Sequence, residues 1–243
     1  MTTKDEVLKQ VHSVLEIETR INLHRHPIHM NWQWGALTLE GYVASVAAKK
    51  LAVRHAATVP GVASVVDHLR VHPSEHRGDG DILSSLLHFI EREAELRNCT
   101  LRVRDKGRVE TLHEVLDDDS SGEIEFSSSD GQVCLDGHVI SLSHKRMAEA
   151  LAWWSPGCCN VINRLEVMPA EDDNDDEITD ALRLVLEMDP LISHVEQIGI
   201  RTRNAVVTLN GVVPYDAERR MIEIDAWCIC GIKDVLNNIE VRS

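Results

Sequence analysis

Phenylalanine and tyrosine are nearly missing from this chain, with two of each in 243 residues against five tryptophans. A core built without rings has to be aliphatic, so the position of each Trp carries information. No run of about 18 apolar residues occurs, which leaves no candidate for a membrane-spanning helix. The polar opening MTTKDEVLKQ has neither the basic n-region nor the apolar h-region of a secretory signal. A cytoplasmic location is therefore expected, with peripheral membrane association or export of a longer form left open.

Positive charge is also scarce. Twenty-five Lys and Arg face forty Asp and Glu, a net charge of −15, which argues against a nucleic-acid partner. The deficit is uneven. Residues 1–73 hold eight basic and six acidic side chains, and the rest of the chain holds seventeen and thirty-four. Only the first segment would attract a phosphate-rich surface. The six cysteines (99, 134, 158, 159, 228 and 230) show no CxxC spacing and read as reduced thiols, of which Cys158, Cys159, Cys228 and Cys230 pack around the turn glycines. No GxSxG, P-loop, GxGxxG after a strand, HExxH or zinc-finger spacing occurs. No enzyme, cofactor or metal site is expected.

What the sequence does contain is one unit written three times. Aligned on Gly41, Gly137 and Gly211, the strands read ALTLEGYV, QVCLDGHV and VVTLNGVV, with apolar residues in alternation. A second glycine follows 20 residues later, at Gly61, Gly157 and Gly231. It ends a helix, where a left-handed backbone suits glycine. Each copy then closes on a phrase such as GVASVVDHLRV. Upstream, Val7/Val11/Val14/Leu15, Ile82/Leu86/Phe89/Ile90 and Ile178/Leu182/Val185/Leu186 form one helical apolar stripe. Thr3 and Glu6 offer a capping box to the first of these helices.

The expected fold class is α+β: three tandem αββαβ units, each a three-stranded mixed sheet with two helices on one face. The units are placed at 1–73, 78–168 and 174–243, joined by HPSEHRGDGD and PAEDDNDDE. The second unit carries an acidic, Ser-rich insertion at about 105–130, read as a solvated loop with a short helix at 109–116. Its Asp117–Asp119 run and Asp172–Asp173 read as loop charges.

The L-x-G-x-V strand, the helix openings SHKRMAEALA and YDAERRMIEIDA, and the closing G-[VCI]-x-x-V-x-[NDH]-x-[LI]-x-V together resemble the BON domain, a small bacterial module. Its members occur in envelope, transport-associated and osmotic-stress proteins. The resemblance spans 4–72, 80–168 and 175–242. It implies the αββαβ fold and a non-enzymatic role in binding phospholipid membranes or other hydrophobic or ionic ligands.

Candidate contact residues lie on the second helix of each unit. Sixteen positions after the strand glycine stand Ala57, Trp153 and Trp227, opposite the apolar face at 100° per residue. Arg146/Glu149/Trp153 and Arg220/Glu223/Trp227 form the same outer stripe, and Trp154 sits nearer the core edge. These Trp pack on a neighbouring repeat or the insertion, or meet a partner, a lipid surface or a small ligand. Three functions stay open: phospholipid docking, a protein-interaction or homo-oligomer scaffold, and a small-ligand or ion sensor. Trp32 and Trp34 alternate on the first strand and read as packing beneath the helices. His24, His26 and His29 read as a pH-sensitive basic patch rather than a metal site.

Overall fold

The computed structural model describes residues 3–115 and 120–242. The Asp117–Asp119 run lies outside the described residues. The chain forms two compact units, Met1–His72 and Pro73–Ser243.

The first unit runs α1 (Lys4–Ile17), β1 (His29–Gln33), β2 (Ala36–Val43), α2 (Val46–Ala57) and β3 (Ser64–Val71). The capping box forms as its spacing requires, with Thr3 Oγ1 accepting from Glu6 N and Glu6 Oε2 accepting from Thr3 N. β2 is central, antiparallel to β1 and parallel to β3. The αβ crossover between β2 and β3 is what a parallel pair demands. Val7, Val11 and Leu15 of α1 are buried with Leu37 and Leu39 of β2 and Leu51 of α2.

The last repeat has the same order: α5 (Asp175–Met188), a 3₁₀ turn at Val195–Gln197, β10 (Gly199–Arg203), β11 (Val206–Val213), α6 (Asp216–Cys228) and β12 (Asp234–Val241). The middle repeat consists of α3 (Asp79–Arg92), β4 (Cys99–Asp105), β5 (Arg108–His113), β6 (Gly122–Ser129), β7 (Gln132–Val139), α4 (Leu142–Trp154), β8 (Asn160–Asn163) and β9 (Glu166–Val167).

Here the structure corrects two expectations. The described residues of the insertion are not a solvated loop, and strand Arg108–His113 stands where a short helix is expected. Its sheet has six strands instead of three, ordered β5-β4-β6-β7-β8 with β9 also on β7. The physical reason is the turn at Lys106–Gly107, with φ of 47° and 81°. That two-residue geometry joins antiparallel strands tightly, and glycine supplies its second residue. Every residue of β5 is exposed, and its Arg108, Glu110 and His113 make it a charged edge.

The closing phrase gains a mechanical meaning. Asp67, Asn163 and Asn237 each accept from the backbone N–H two residues on, at Leu69, Leu165 and Ile239. Their outer atoms reach the preceding helix. Asp67 pairs with the buried Lys49 ammonium at 2.6 Å, and the two Asn amides donate to Glu149 and Glu223 at 3.0 and 3.1 Å. One polar residue thus bends the strand inward and ties it to its helix, so Leu69, Leu165 and Ile239 are buried.

Candidate functional site

In every repeat one hairpin, β1–β2, β6–β7 or β10–β11, is closed by a two-residue turn with both residues at positive φ. The pairs are Trp34–Gly35 (53°, 88°), Asp130–Gly131 (52°, 75°) and Asn204–Ala205 (53°, 63°). Such turns favour Asn or Asp first, because a short polar side chain tolerates the left-handed region. The second and third repeats obey this preference; the first places tryptophan there.

The neighbouring helix departs in step. Asp79 opens α3, and its carboxylate accepts from Asp130 N at 3.1 Å and Gly131 N at 3.0 Å. Asp175 opens α5 and accepts from Asn204 N at 2.7 Å and Ala205 N at 2.8 Å. Burial pushes the Asp79 carboxyl up, but the Gly131 amide, the Ser128 hydroxyl and the Asp130 amide outweigh it and hold the pKa below the usual range. At the equivalent place α1 opens on Lys4, whose Nζ donates instead to Asn31 Oδ1 at 3.1 Å. The Trp34 turn therefore has no carboxylate clamp. It keeps the backbone tie common to all three repeats, with Ala63 N donating to Gly35 O at 2.7 Å. Trp32 adds a second tie, its Nε1 donating to Gly61 O at 2.9 Å.

Trp32 and Trp34 do not share the inner face that strand alternation suggests. The strand ends at Gln33, and the turn rotates Trp34 into solvent at 99% exposure. Among the described residues Trp34 makes no hydrogen bond and no ring contact. The segments that form this end, residues 31–39 (NWQWGALTL) and 56–66 (AATVPGVASVV), contain no ionisable side chain, and Lys4, held on Asn31, is a charge beside the turn. Pro60, Gly61, Ala63 and Ser64 are exposed there. The matching windows of the third repeat hold Arg201, Arg203, Lys233 and Asp234, and the matching turn of the second holds Asp130.

Magnitudes sharpen the point. The left-handed conformation costs an ordinary residue about 1–2 kcal/mol, and nothing within the unit offsets it. Burying about half of a Trp side chain, roughly 100 Å² at ~25 cal/mol/Å², returns about 2.5 kcal/mol. The placement becomes favourable once a partner covers the ring. The signal was present in sequence: at the position aligned with Asp130 and Asn204 stands Trp34, followed by glycine. Extending the strand alternation one residue too far concealed it.

The outer stripe lies elsewhere. In the second unit α4 packs against α5 and α6. Arg146 is 1% exposed, donating from Nε to Cys230 O at 3.2 Å and from Nη2 to Asp173 Oδ1 at 2.6 Å. Trp153 and Trp154 are half-buried, and Trp154 Nε1 donates to Asp225 Oδ1 at 2.9 Å. Trp227 is 1% exposed. Arg220 is exposed and paired with Asp216 at 2.6 Å, and Glu223 is half-buried. The structure thus brings Arg146, Trp154 and the third repeat together, and leaves Arg220 apart. Of the strand glycines, Gly41, Gly137 and Gly211 all stand at positive φ, as do the helix-ending Gly61, Gly157 and Gly231.

The His26 ring contacts His72 with centroids 5.1 Å apart and planes tilted by 54°, and His72 in turn contacts Tyr42. Burial, then the charges of His72 and Arg25, hold its pKa below the ordinary value. His24 and His29 are exposed. Among the described residues no three His, Cys, Asp or Glu are grouped to hold a metal ion, and no helix is long and apolar enough to cross a membrane.

A family model described as the BON domain matches residues 9–73, 105–169 and 174–243. No curated protein matches the chain. Among solved structures, the chain is similar to the C-terminal domain of CdsD, the structural protein of the type III secretion system of Chlamydia trachomatis. That match has 13% identity over 99% of this chain and 100% of the other, with a TM-score of 0.25. A second structure of CdsD matches at 14% identity over 98% and 92%, with a TM-score of 0.24. Likenesses at this level carry nothing further for this chain.

Proposed function

We propose, since the chain belongs to the BON domain family, that it is a non-catalytic binding module whose first unit docks on phospholipid surfaces through the Trp34 turn. The observation that supports this reading most is a fully exposed Trp held at φ 53° between segments that hold no ionisable side chain. A Trp ring is apolar while its N–H can stay wet, which suits the lipid–water boundary. The less acidic first segment permits approach to a bilayer where the remainder, with thirty-four acidic residues, repels an anionic one. Arg146, Trp153, Trp154 and Trp227 are assigned to holding the second and third repeats together rather than to lipid contact.

Because the turn and its flanking segments hold no ionisable side chain and Lys4 is a single charge beside them, binding is expected on neutral phosphatidylcholine vesicles and is expected to change little with salt. Trp34→Asn installs the residue type of the third repeat's turn. It should reduce vesicle co-sedimentation tenfold or more. It should also stabilise the first unit by about 1 kcal/mol in urea denaturation, because Asn tolerates the left-handed turn. Loss of function with gain of stability separates a docking residue from a structural one. Equal sedimentation of the two proteins, or none of either, rejects the reading. A dimer seen by light scattering and abolished in Trp34→Asn would seat a second copy on the tip instead.

A further inference from the structure

Two buried carboxyls, Asp225 and Asp189, lie in the interior of the second unit. Asp225 of α6 is 0% exposed, and Asp189, the C-cap of α5, is also buried. Asp225 Oδ1 accepts the Trp154 indole N–H at 2.9 Å, across 71 positions of sequence and from one repeat to the other. Its Oδ2 is buried with no donor in hydrogen-bonding geometry. Asp189 Oδ1 is occupied by Leu191 N at 2.8 Å.

Among the described residues no ion pair reaches Asp225 or Asp189. From α4 the facing group is the neutral Trp154. The sheet beneath α6 contributes buried Val207, Leu209, Val235 and Ile239. Two turns earlier on α6, buried Glu218 accepts from Ser193 N at 3.1 Å, adding a third acid to the same loop. Trp154 also lines a cavity of about 340 Å³ with His88, Arg92 and Glu93 of α3 and its cap, and with Met188 and Pro190, which flank Asp189. A fully buried carboxyl with one oxygen unsatisfied is costly to ionise, so Asp225 favours keeping its proton.

We propose that the Asp225–Asp189 pair is a proton-controlled latch between the second and third repeats, closed on Trp154 while it holds a proton and released when it loses it. Burial, then the charge and hydrogen bond of Asp189, push the Asp225 carboxyl up to about 8 against the opposing pull of the Trp154 N–H. The sign follows. The folded protein keeps a proton that the unfolded chain gives up near 3.9. The latch's contribution is complete below that value, declines as pH rises, and is gone once pH passes about 8. The device works independently of lipid docking, because it lies in the other unit.

The test uses the full chain. Melting temperature is measured from pH 5 to pH 9, together with hydrogen exchange of the Trp154 indole N–H. Wild type should lose about 10 °C across this range, given roughly 2–4 °C per kcal/mol for a unit of this size. Indole exchange should rise tenfold beyond its intrinsic base-catalysed increase. In Asp225→Asn, which imitates the protonated acid, both profiles should be flat once other groups' shared drift is subtracted. A carbon-13 carboxyl titration of the wild type provides the independent reading if that variant does not fold. Asp225 should titrate at pH 7 or above, and Asp189→Asn should lower its midpoint by a unit or more. Identical pH profiles in wild type and Asp225→Asn, or an Asp225 midpoint near 4, overturn the proposal.

Discussion

Gly137→Ala should be among the most damaging single-methyl changes in the protein. A Cβ at this position would stand 2.2 Å from the Glu123 carbonyl oxygen, on a backbone held at φ 115°. Neither partner is a flexible side-chain end. The carbonyl belongs to β6, paired along its whole length with β7, so relief requires separating the two strands. Steric overlap and a forbidden φ together predict a loss of about 3–5 kcal/mol, a large share of the ~5–15 kcal/mol typical of a domain. The corresponding changes form a graded series. At Gly211 the added carbon would meet Gln197 O at 2.6 Å, and at Gly41 Pro27 O at 2.8 Å. Urea denaturation should therefore rank them Gly137, Gly211, Gly41 in falling severity. Gly80→Ala is the control, since Gly80 lies in α3 with nothing within 4 Å. Removing a helix glycine there should be neutral or stabilising by up to about 1 kcal/mol.

These glycines also show why so much of the fold could be read without coordinates. An invariant spacing repeated within one chain reports a backbone constraint, and the apolar positions around it fix which face is buried. That logic located the strands, helices and core residues such as Leu39, Leu135 and Leu209. It failed where a repeat departs from its siblings. The insertion has no counterpart, so composition stood in for pattern, and Ser and Asp suggested loop where Lys106–Gly107 closes a hairpin. Trp34 was concealed by the same habit, because alternation across β1 was followed past the turn. The outer helix stripe marks a deeper limit. Angular position gives the direction of Arg146 and Trp227 relative to their own sheet. It does not say that another repeat will cover that direction, which depends on α4, α5 and α6 meeting.

That meeting makes Arg146 the next strong expectation. Its guanidinium is 1% exposed and joins the Cys230 carbonyl to the Asp173 carboxylate, so one side chain holds both the linker into the third repeat and the turn before β12. Arg146→Ala removes the ion pair, leaves the Cys230 carbonyl without this donor, and empties the volume of a long side chain. Breaking such a buried contact costs about 3 kcal/mol. Asp173→Ala should cost less, about 1 kcal/mol, because that carboxylate is half exposed and water replaces its partner. Arg146→Met should recover much of the loss. The Nη1 atom is already buried without a hydrogen bond, so an apolar chain of similar length gives up fewer interactions than the Ala gap does. Stability alone would not reveal what the residue is for. Vesicle sedimentation does, because Arg146→Ala should weaken the second unit and leave docking through Trp34 unchanged. Trp34→Asn should do the reverse. If Arg146→Ala abolished lipid binding while the first unit kept its own unfolding transition, docking would have to be reassigned to the second unit.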